Sequence, residues 1–274
     1  MRLGDCGKTN LHTYSDKEKW SLIRYLDTGS ITEGRIDEIQ TLYPGVDKIP
    51  SRARRKASVG DILFSTVRPN QKHYGIIEAG TENLLVSTGF TVVTVDTTIA
   101  DPYFIYYYLT QSSVIESLQA IAEQSTSTYP SIKPSDIEDI ELDLPELETQ
   151  KKIGSTLRML DRKIALNEEI NDNLQQQAMS LYAEMFLNSS DSNVTSGTLS
   201  DIAVITMGQS PSGSSYNEDG VGEVFYQGRA EFGFRFPKRR LFTTEPKRIA
   251  EAGDVLLSVR APVGDLNIAY ERCC

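Results

Sequence analysis

The chain has 274 residues, of which 39% are hydrophobic and 24% charged, and its formal net charge is −10. This composition is typical of an ordinary soluble globular protein. No stretch approaches the length of a membrane span, the N-terminus has no apolar signal-peptide core, and the three cysteines form neither a disulfide framework nor a metal-ligand spacing. We therefore expect a cytoplasmic protein without a metal site.

Basic residues are concentrated in two stretches although the chain as a whole is acidic. Residues 48–74 hold seven basic residues against one acidic residue, Asp61, and residues 229–248 hold seven against two. The acidic residues cluster elsewhere, as in residues 136–148. A net negative charge argues against a nucleic acid partner. The local distribution keeps that partner open.

Residues 1–145 are predicted to form an α/β (α+β) domain. Candidate strands are residues 60–67, 75–78 and 90–95, which are rich in β-branched and aromatic residues and bounded by turn residues. Residues 102–119 then have helical spacing, and we expect Tyr103 and Tyr106–Tyr108 there to be core residues rather than a stacking platform. Residues 125–134 are predicted to be a loop, because Pro130 and Pro134 exclude a continuous helix.

Residues 146–187 are predicted to form one long helix of the coiled-coil type. Its apolar positions step alternately by four and three residues, which is a heptad seam about 60 Å long at ~1.5 Å per residue. The seam could cover the helix's own domain or pair with another long helix, and the strict spacing favours pairing. Its positions are Ile153, Leu157, Leu160, Ile164, Asn167, Asn171, Leu174, Ala178, Leu181 and Met185.

After a polar linker at residues 188–198, residues 199–274 repeat the start of the chain. Gly60-Asp61-Ile62-Leu63 returns as Gly253-Asp254-Val255-Leu256, and Leu3-Gly4-Asp5 is loosely echoed by Leu199-Ser200-Asp201. The offset of about 195 residues indicates duplication of a whole domain. Because only 21 residues follow Gly253, we expect an incomplete second α/β domain with unpaired strand edges.

Catalytic signatures are missing from the sequence. There are two histidines, His12 and His73, and no glycine-rich phosphate loop, zincin helix or nucleophile elbow. The Asn/Asp-Pro-Pro-aromatic signature expected of a methyltransferase that acts on exocyclic amines is also absent. These observations argue against an enzyme.

The order of parts resembles the specificity subunit (HsdS) of type I restriction-modification systems. Residues 142–153, Leu-Asp-Leu-Pro-Glu-Leu-Glu-Thr-Gln-Lys-Lys-Ile, resemble that family's junction between a target recognition domain and its first spacer helix, and residues 160–171 resemble the helix that follows. The two Gly-Asp-aliphatic motifs are similar to the family's recurring recognition-domain signature. The resemblance covers essentially the whole chain.

The resemblance implies a non-catalytic subunit that recognises double-stranded DNA. Each recognition domain would read one half of a bipartite target, and paired helices would set the gap between the halves. The subunit would hold modification subunits, which methylate adenine with S-adenosylmethionine, and indirectly an ATP-driven restriction subunit, while binding no cofactor itself. No membrane partner is implied.

Members of the family have two complete recognition domains and two helices, so the chain resembles a C-terminally truncated member. It could form a homodimer through the helix at 148–187, or be completed by a separate polypeptide. Two alternatives are a silent cassette without function and a coiled-coil interaction module that does not bind DNA.

Three groups of residues are the candidates for DNA contact. Basic residues before the Gly-Asp strand are expected to grip phosphates, the alternative being a solvated basic face. Arg, Asn and Gln after the strand are suited to bidentate contacts with base edges, the alternative being turn stabilisation. The residues expected to contact phosphates are Arg52, Arg54, Arg55 and Lys56. The residues expected to contact bases, called the readout group, are Arg68, Asn70, Gln71, Lys72 and His73. A weaker group is Ser127, Tyr129 and Lys133.

Overall fold

The computed structural model describes residues 1–124, 129–188, 196–260 and 263–274. It divides into two compact units, unit 1 (Met1–Asn188) and unit 2 (Ser189–Cys274). The helices of unit 1 are α1 (Leu3–Cys6), α2 (Pro102–Leu109), α3 (Ser112–Glu123), α4 (Pro134–Glu138) and α5 (Leu147–Tyr182). Its strands are β1 (Gly7–Thr9), β2 (Ile23–Leu26), β3 (Ile31–Thr32), β4 (Arg35–Ile36), β5 (Gln40–Leu42), β6 (Ala53–Lys56), β7 (Ile62–Ser65), β8 (Tyr74–Ile76), β9 (Leu84–Ser87) and β10 (Phe90–Val95).

Unit 1 contains two four-stranded sheets. The first has the antiparallel order β1-β10-β7-β8, and the second has the order β5-β2-β9-β6, in which only β2 and β9 run parallel. The strands predicted at 60–67 and 75–78 are β7 and β8, and the strand predicted at 90–95 is β10. The prediction of a mixed α/β domain is confirmed.

Both faces of the first sheet are buried because its strands alternate two sets of apolar residues. Ile62 and Phe64 of β7 face a core shared with the helices, whereas Leu63 faces a core that includes residues of β9. Burial of each such side chain contributes about 1.5–3 kcal/mol relative to exposure. The first sheet therefore lies between a helical layer and the second sheet.

The helical layer agrees with the helical spacing predicted at 102–119. Two helices, α2 and α3, form there, with a break at Thr110 and Gln111. Gln111 is extended, with ψ of 141°, so the two helices change direction while Ile105 and Ile115 both remain in the core. Tyr106 is buried and Tyr103, Tyr107 and Tyr108 pack against the core, which confirms their expected role.

Helix α5 lies where the sequence predicted one long helix. It is α-helical from Leu147 to Tyr182 and ends in a wider turn, Ala183–Leu187. Its first turns lie on α2, where the buried amide of Gln150 accepts a hydrogen bond from the Asp101 N–H (3.0 Å) and donates one to the Pro145 carbonyl (2.8 Å). Arg158 lies 4.3 Å above the Tyr103 ring and donates to Glu78 (3.0 Å).

The first residues of the chain form hydrogen bonds with the segment that precedes α5. The Leu3 N–H donates to the Ile140 carbonyl (2.9 Å), and the Leu142 N–H donates to the Met1 carbonyl (2.7 Å). Leu3 is buried in the same core as Leu142. The first residues of unit 1 and the segment that leads into α5 therefore meet just ahead of that helix.

Unit 2 is built from small antiparallel sheets. Its strands are β11 (Tyr216–Asn217), β12 (Glu223–Phe225), β13 (Leu241–Thr243), β14 (Val255–Leu257) and β15 (Leu266–Ile268). They form sheets of order β11-β13-β12 and β14-β15. A small core joins Val224, Ala269 and Cys273.

Both units repeat the same hydrogen bonds at the Gly-Asp motif. Gly60 and Gly253 have φ of +90° and +96°, a conformation that favours glycine. In each unit the glycine N–H donates to the carbonyl of the residue that directly follows the neighbouring strand, Ile77 (2.9 Å) or Ala269 (2.7 Å). The aspartate carboxylate accepts from the backbone three residues earlier, 2.8 Å in both cases. The aspartates, Asp61 and Asp254, therefore serve the turn.

The repeated strands β7 and β14 differ in how far their side chains are buried. Ile62 is completely buried under the helices, whereas Val255, at the same place in the motif, is 66% exposed. Leu257 is likewise exposed, while Leu256 packs inward as Leu63 does. In unit 2 one face of this sheet is bare among the described residues.

Within the described part of the chain, no helix is both long and apolar enough to cross a membrane.

Candidate nucleic-acid interface

The segment after β7 is held in place by two other loops. The Thr66 N–H and hydroxyl both donate to the Gly89 carbonyl (2.8 and 2.9 Å), in the turn between β9 and β10. The Arg68 N–H donates to the Pro130 carbonyl (2.9 Å), and Val67 forms a bridge with Ser131. The structure therefore brings together the readout group and the loop that holds the weaker group.

The readout segment has an unusual backbone. Arg68 and Lys72 have φ of +47° and +57° on either side of a short 3₁₀ turn, Pro69–Gln71. Such left-handed residues cost about 1–3 kcal/mol each when they are not glycine, and they persist where surrounding contacts fix them. Here the Gln119 side chain accepts a hydrogen bond from the Asn70 N–H (3.3 Å). Strain and support together fix this segment in one conformation.

Arg68, Asn70 and Gln71 are exposed, and the Arg68 guanidinium lies 5.2 Å from the centre of the exposed Tyr129 ring. A guanidinium over an aromatic face is attracted to the ring and loses conformational freedom. These side chains can meet a ligand without moving the core.

Lys72 and His73 are engaged by the β3–β4 ribbon. Lys72 pairs with Glu33 (2.6 Å), and this hydrogen bond raises the pKa of the lysine. The His73 Nδ1 lies 2.7 Å from the Ile31 carbonyl and 3.2 Å from the Thr32 hydroxyl. Lys72 and His73 therefore link the loop to the β3–β4 ribbon. The other three residues of the readout group, Arg68, Asn70 and Gln71, are exposed and do not make these contacts.

The four residues predicted to contact DNA phosphates also differ in their surroundings. Arg52 is exposed, and its carbonyl accepts a hydrogen bond from the Thr88 N–H (2.8 Å), next to Gly89. Lys56 pairs with Glu18 (2.5 Å) and lies 5.2 Å above the Trp20 ring. Arg54 and Arg55 follow Arg52 along β6 and alternate between its two faces. The backbone hydrogen bond from Thr88 therefore links Arg52 to the turn that holds the readout segment.

Arg55 is partly buried, and its Nη1 atom is buried without a hydrogen-bond partner in the structure. This burial lowers the pKa of Arg55. Of the weaker group, Lys133 is exposed at the start of α4. Ser127 lies outside the described residues.

We call Arg52, Arg68, Asn70, Gln71 and Tyr129 the loop edge. They come from three separate segments that the Gly89 turn and the Pro130 segment join. Sequence reasoning missed the support from Gln119 and Gly89, because these contacts span 49 and 23 residues. No local pattern signals them.

Three of the seven basic residues in the basic stretch of unit 2 form ion pairs. Arg239 donates to Glu271 (2.6 Å), Arg240 to the buried Glu231 (3.1 Å), and Arg229 lies 2.9 Å from Asp265. Among the described residues of the chain, no group of three or more His, Cys, Asp or Glu side chains could hold a metal ion.

The seam of α5 is exposed. Leu160 is 54% and Leu174 57% exposed, and every side chain from Met159 to Tyr182 is exposed. At the base of the helix, Ile153 and Leu157 line a groove of about 280 Å³ together with Phe104, Tyr107, Tyr108, Thr110 and Gln111. Unit 1 therefore contacts the base of α5 and leaves most of the helix's seam exposed.

A family model described as "Type I restriction modification DNA specificity domain" matches residues 52–176, which include the loop edge and most of α5. The crystal structure of the HsdS subunit from Thermoanaerobacter tengcongensis is 30% identical to this chain, with a TM-score of 0.52. That likeness covers 100% of this chain and 72% of the other. The chain belongs to the HsdS family of type I restriction-modification specificity subunits.

Two curated HsdS relatives extend the comparison. The putative type I restriction enzyme MjaX specificity subunit of Methanocaldococcus jannaschii is 31% identical over 89% of this chain and 62% of its own length. The type I restriction enzyme HindI specificity subunit of Haemophilus influenzae is 29% identical over 73% of this chain and 43% of its own length. The chain thus spans less than two thirds of the length of these HsdS relatives.

Proposed function

We propose that this chain is the DNA-recognition subunit of a type I restriction-modification complex and that unit 1 reads part of a bipartite target through the loop edge. The observation that carries the proposal is that the exposed residues Arg52, Arg68, Asn70 and Gln71 lie on segments that hydrogen bonds join through the Gly89 turn and the Pro130 segment, with Arg68 beside Tyr129. Arg, Asn and Gln have the donor and acceptor geometry that matches guanine and adenine edges. Membership of the HsdS family supports this role.

The residues of the loop edge would make two kinds of contact with DNA. Arg52, at the outer turn, would contact a phosphate, which adds affinity but no sequence information. Arg68 would contact a base edge, because its backbone is fixed at Pro130 and its guanidinium is oriented by Tyr129. Neither residue needs a cofactor.

We further propose that the subunit positions adenine methyltransferase subunits on the target and contacts the restriction subunit indirectly. In this scheme the partner subunits use S-adenosylmethionine and ATP, and this chain does no chemistry. Helix α5 would be the rigid element that holds the partners at a fixed distance from the loop edge.

The test is a selection from a randomised DNA duplex library by the chain assembled with its modification subunit, at several salt concentrations. We expect Arg68→Ala to relax the base preference at one position, a loss of about 1–3 kcal/mol of discrimination. Arg52→Ala should weaken binding to all sequences and reduce the salt slope by about 1.

The matched control is Lys8→Ala. Lys8 is an exposed basic residue on β1 opposite Thr94, towards the end of β10 away from the Phe90–Ser65 pair beside the loop edge. It should leave both preference and salt slope unchanged. An Arg68→Ala complex that selects the wild-type sequences with wild-type affinity would contradict the proposal.

A further inference from the structure

Unit 2 contains a counterpart of the β3–β4 ribbon of unit 1. In each unit a 3₁₀ turn precedes it, Thr28–Ser30 in unit 1 and Arg229–Glu231 in unit 2. The N–H of the last turn residue donates to the carbonyl three positions earlier (3.1 and 3.2 Å). Its carbonyl accepts from the N–H seven positions later (2.9 and 2.7 Å). The two turns therefore align, and residues 232–237, which we call the aromatic loop, take the place of the ribbon.

The tip of this segment differs between the units. It is Glu33-Gly34 in unit 1 and Phe234-Arg235 in unit 2, where the aromatic loop forms a bend instead of paired strands. Phe234 is 68% exposed, and Arg235 is exposed beside it. Unit 2 thus presents an aromatic ring and a cation where unit 1 presents a carboxylate.

Hydrogen bonds hold the aromatic loop on both sides of Phe234. The buried Asn267 of β15 accepts from the Gly233 N–H (3.1 Å) and donates to the Gly233 carbonyl (2.9 Å). The Arg235 carbonyl accepts from the Ile268 N–H (2.9 Å). Because its backbone is fixed at both neighbours, Phe234 loses little freedom when its ring meets a ligand.

The exposure of Phe234 does not result from the bare face of the β14–β15 sheet. Glu33, at the same place in unit 1, is also exposed, although helices cover the neighbouring strand β8 there. Two residues further along, Arg35 forms an ion pair with α5. Its counterpart Phe236 packs against Tyr270, with ring centres 6.2 Å apart. Phe234 therefore holds a surface position, whereas Phe236 holds a position that faces a neighbour.

The aromatic loop lies beside the counterpart of the readout segment. Arg229, in the turn before it, lies 2.9 Å from Asp265, the last residue before β15. In unit 1 the ribbon is joined to the loop between β7 and β8 through Glu33 and Lys72. That loop holds the readout group, so the aromatic loop adjoins the equivalent loop of unit 2.

The charges around Phe234 are mainly positive. Residues 229–248 hold seven basic residues against two acidic ones, of which Glu231 is buried. Among the ion pairs of the described residues, none involves Arg235 or Lys238. A protein partner would need matching acidic groups, whereas DNA has a phosphate at every step. In DNA complexes, Phe can insert between base steps while Arg and Lys contact the groove.

We propose that Phe234 of unit 2 inserts between two bases of the bound DNA duplex and partly unstacks them, while Arg235 contacts an adjoining phosphate. The inference rests on the proposed function and adds a second DNA contact of a different chemistry. Unit 1 lacks this contact, because Glu33 is an anion that pairs with Lys72 and repels phosphates. Unit 1 therefore reads a stacked duplex, whereas unit 2 distorts the stack that it contacts.

The test uses the chain assembled with its modification subunit and the duplex that this complex selects. A fluorescent aminopurine base, which is quenched within a base stack, replaces successive bases of the duplex. We expect the wild-type complex to raise the fluorescence at one base step above that of the free duplex. Phe234→Ala should abolish this increase and weaken binding by roughly tenfold, because stacking on the ring is lost.

Two further variants control for the fold of the loop. Phe234→Trp keeps an aromatic ring at the tip and should keep the increase at the same base step. The matched control is Phe236→Ala, which removes the same ring from the position that packs on Tyr270. It should leave the increase in place. Because Phe234 is exposed, both of its variants should keep the wild-type circular dichroism spectrum.

Fluorescence that stays at the level of the free duplex at every step would overturn the proposal, as would an increase that Phe234→Ala leaves unchanged. A Phe234→Ala chain that no longer assembles with the modification subunit would also overturn it and would identify the tip as a protein contact.

The outcome for the loop edge is separate. A complex whose base preference depends on Arg68, without an increase that depends on Phe234, leaves the proposed function intact and removes only the insertion. An increase that depends on Phe234, in a complex whose base preference is insensitive to Arg68→Ala, does the reverse. A complex that binds no DNA overturns both.

Discussion

Gly154 lies where α5 packs closely against the start of α2. A Cβ atom there would lie 2.5 Å from Asp101 Oδ1 and 3.0 Å from the Phe104 N and Tyr103 Cβ atoms. Asp101 caps α2, since its carboxylate accepts from the Phe104 N–H (2.9 Å). The glycine weakens the helix intrinsically but permits the close contact that anchors it.

We expect Gly154→Ala to destabilise the chain by about 1–3 kcal/mol, the range for an overpacked contact, although alanine is the better helix former. Urea unfolding monitored by circular dichroism measures the change. Ser155→Ala, at the exposed neighbouring position, should change stability by no more than about 0.5 kcal/mol. A stabilised Gly154→Ala chain would mean that α5 does not press on α2.

At the scale of elements, the ion pairs between α5 and Glu78 make the docking of the helix depend on pH. Partial burial raises the pKa of Glu78, but Arg158 and Arg162 outweigh this effect and hold the pKa below its ordinary value. A carboxyl with a lowered pKa in the folded state stabilises the fold above its unfolded pKa. That contribution is lost as the pH falls through the folded value.

Glu78→Gln should therefore cost about 0.5 kcal/mol at pH 7, within the range for ion pairs that solvent still reaches. Its effect should fall towards zero as the pH drops through the lowered pKa of Glu78, because Glu78 then becomes protonated in the wild-type chain as well. Urea unfolding of both chains at pH 7 and at a series of lower pH values gives the comparison. An equal cost at every pH would show that Glu78 contributes by packing and not by charge.

Periodicity predicted the elements whose signal is local. The alternation at Phe90–Val95 and the heptad spacing of α5 both depend on neighbouring residues, and both elements formed at the predicted places. The break at Thr110 was missed, because apolar spacing continues across it in α2 and α3. A period shows which residues are buried but not where a helix changes direction.

The loop edge was predictable in its residue types and not in its assembly. Basic and amide residues near a Gly-Asp strand indicated DNA contact, but nothing local separates Arg52, linked to the Gly89 turn, from Lys56, paired with Glu18. That division depends on which strand pairs with which. Whether these residues bind DNA stays a prediction.

At the scale of the whole molecule, two copies of one motif have different surroundings. The β7–β8 hairpin lies under helices, whereas β14–β15 is open on the equivalent face, with Val255 and Leu257 exposed. Backbone hydrogen bonds without apolar cover open at low cost in free energy.

Hydrogen exchange should therefore distinguish the two hairpins. We expect amides of Ile62–Ser65 to exchange only with global unfolding and those of Val255–Leu257 to exchange at least 100-fold faster, through local opening. Mass spectrometry of peptic fragments gives both in one experiment. Equal protection would show that something covers the second hairpin in solution.

The meeting of the two ends of unit 1 has a mechanical consequence. Tension applied between the first residues and α5 passes through the short hydrogen bonds that join Leu3 to Ile140 and Leu142 to Met1. It bypasses the β-sheets and the loop edge behind them. A pull along the helix therefore loads these two hydrogen bonds first and leaves the shape of the loop edge unstrained.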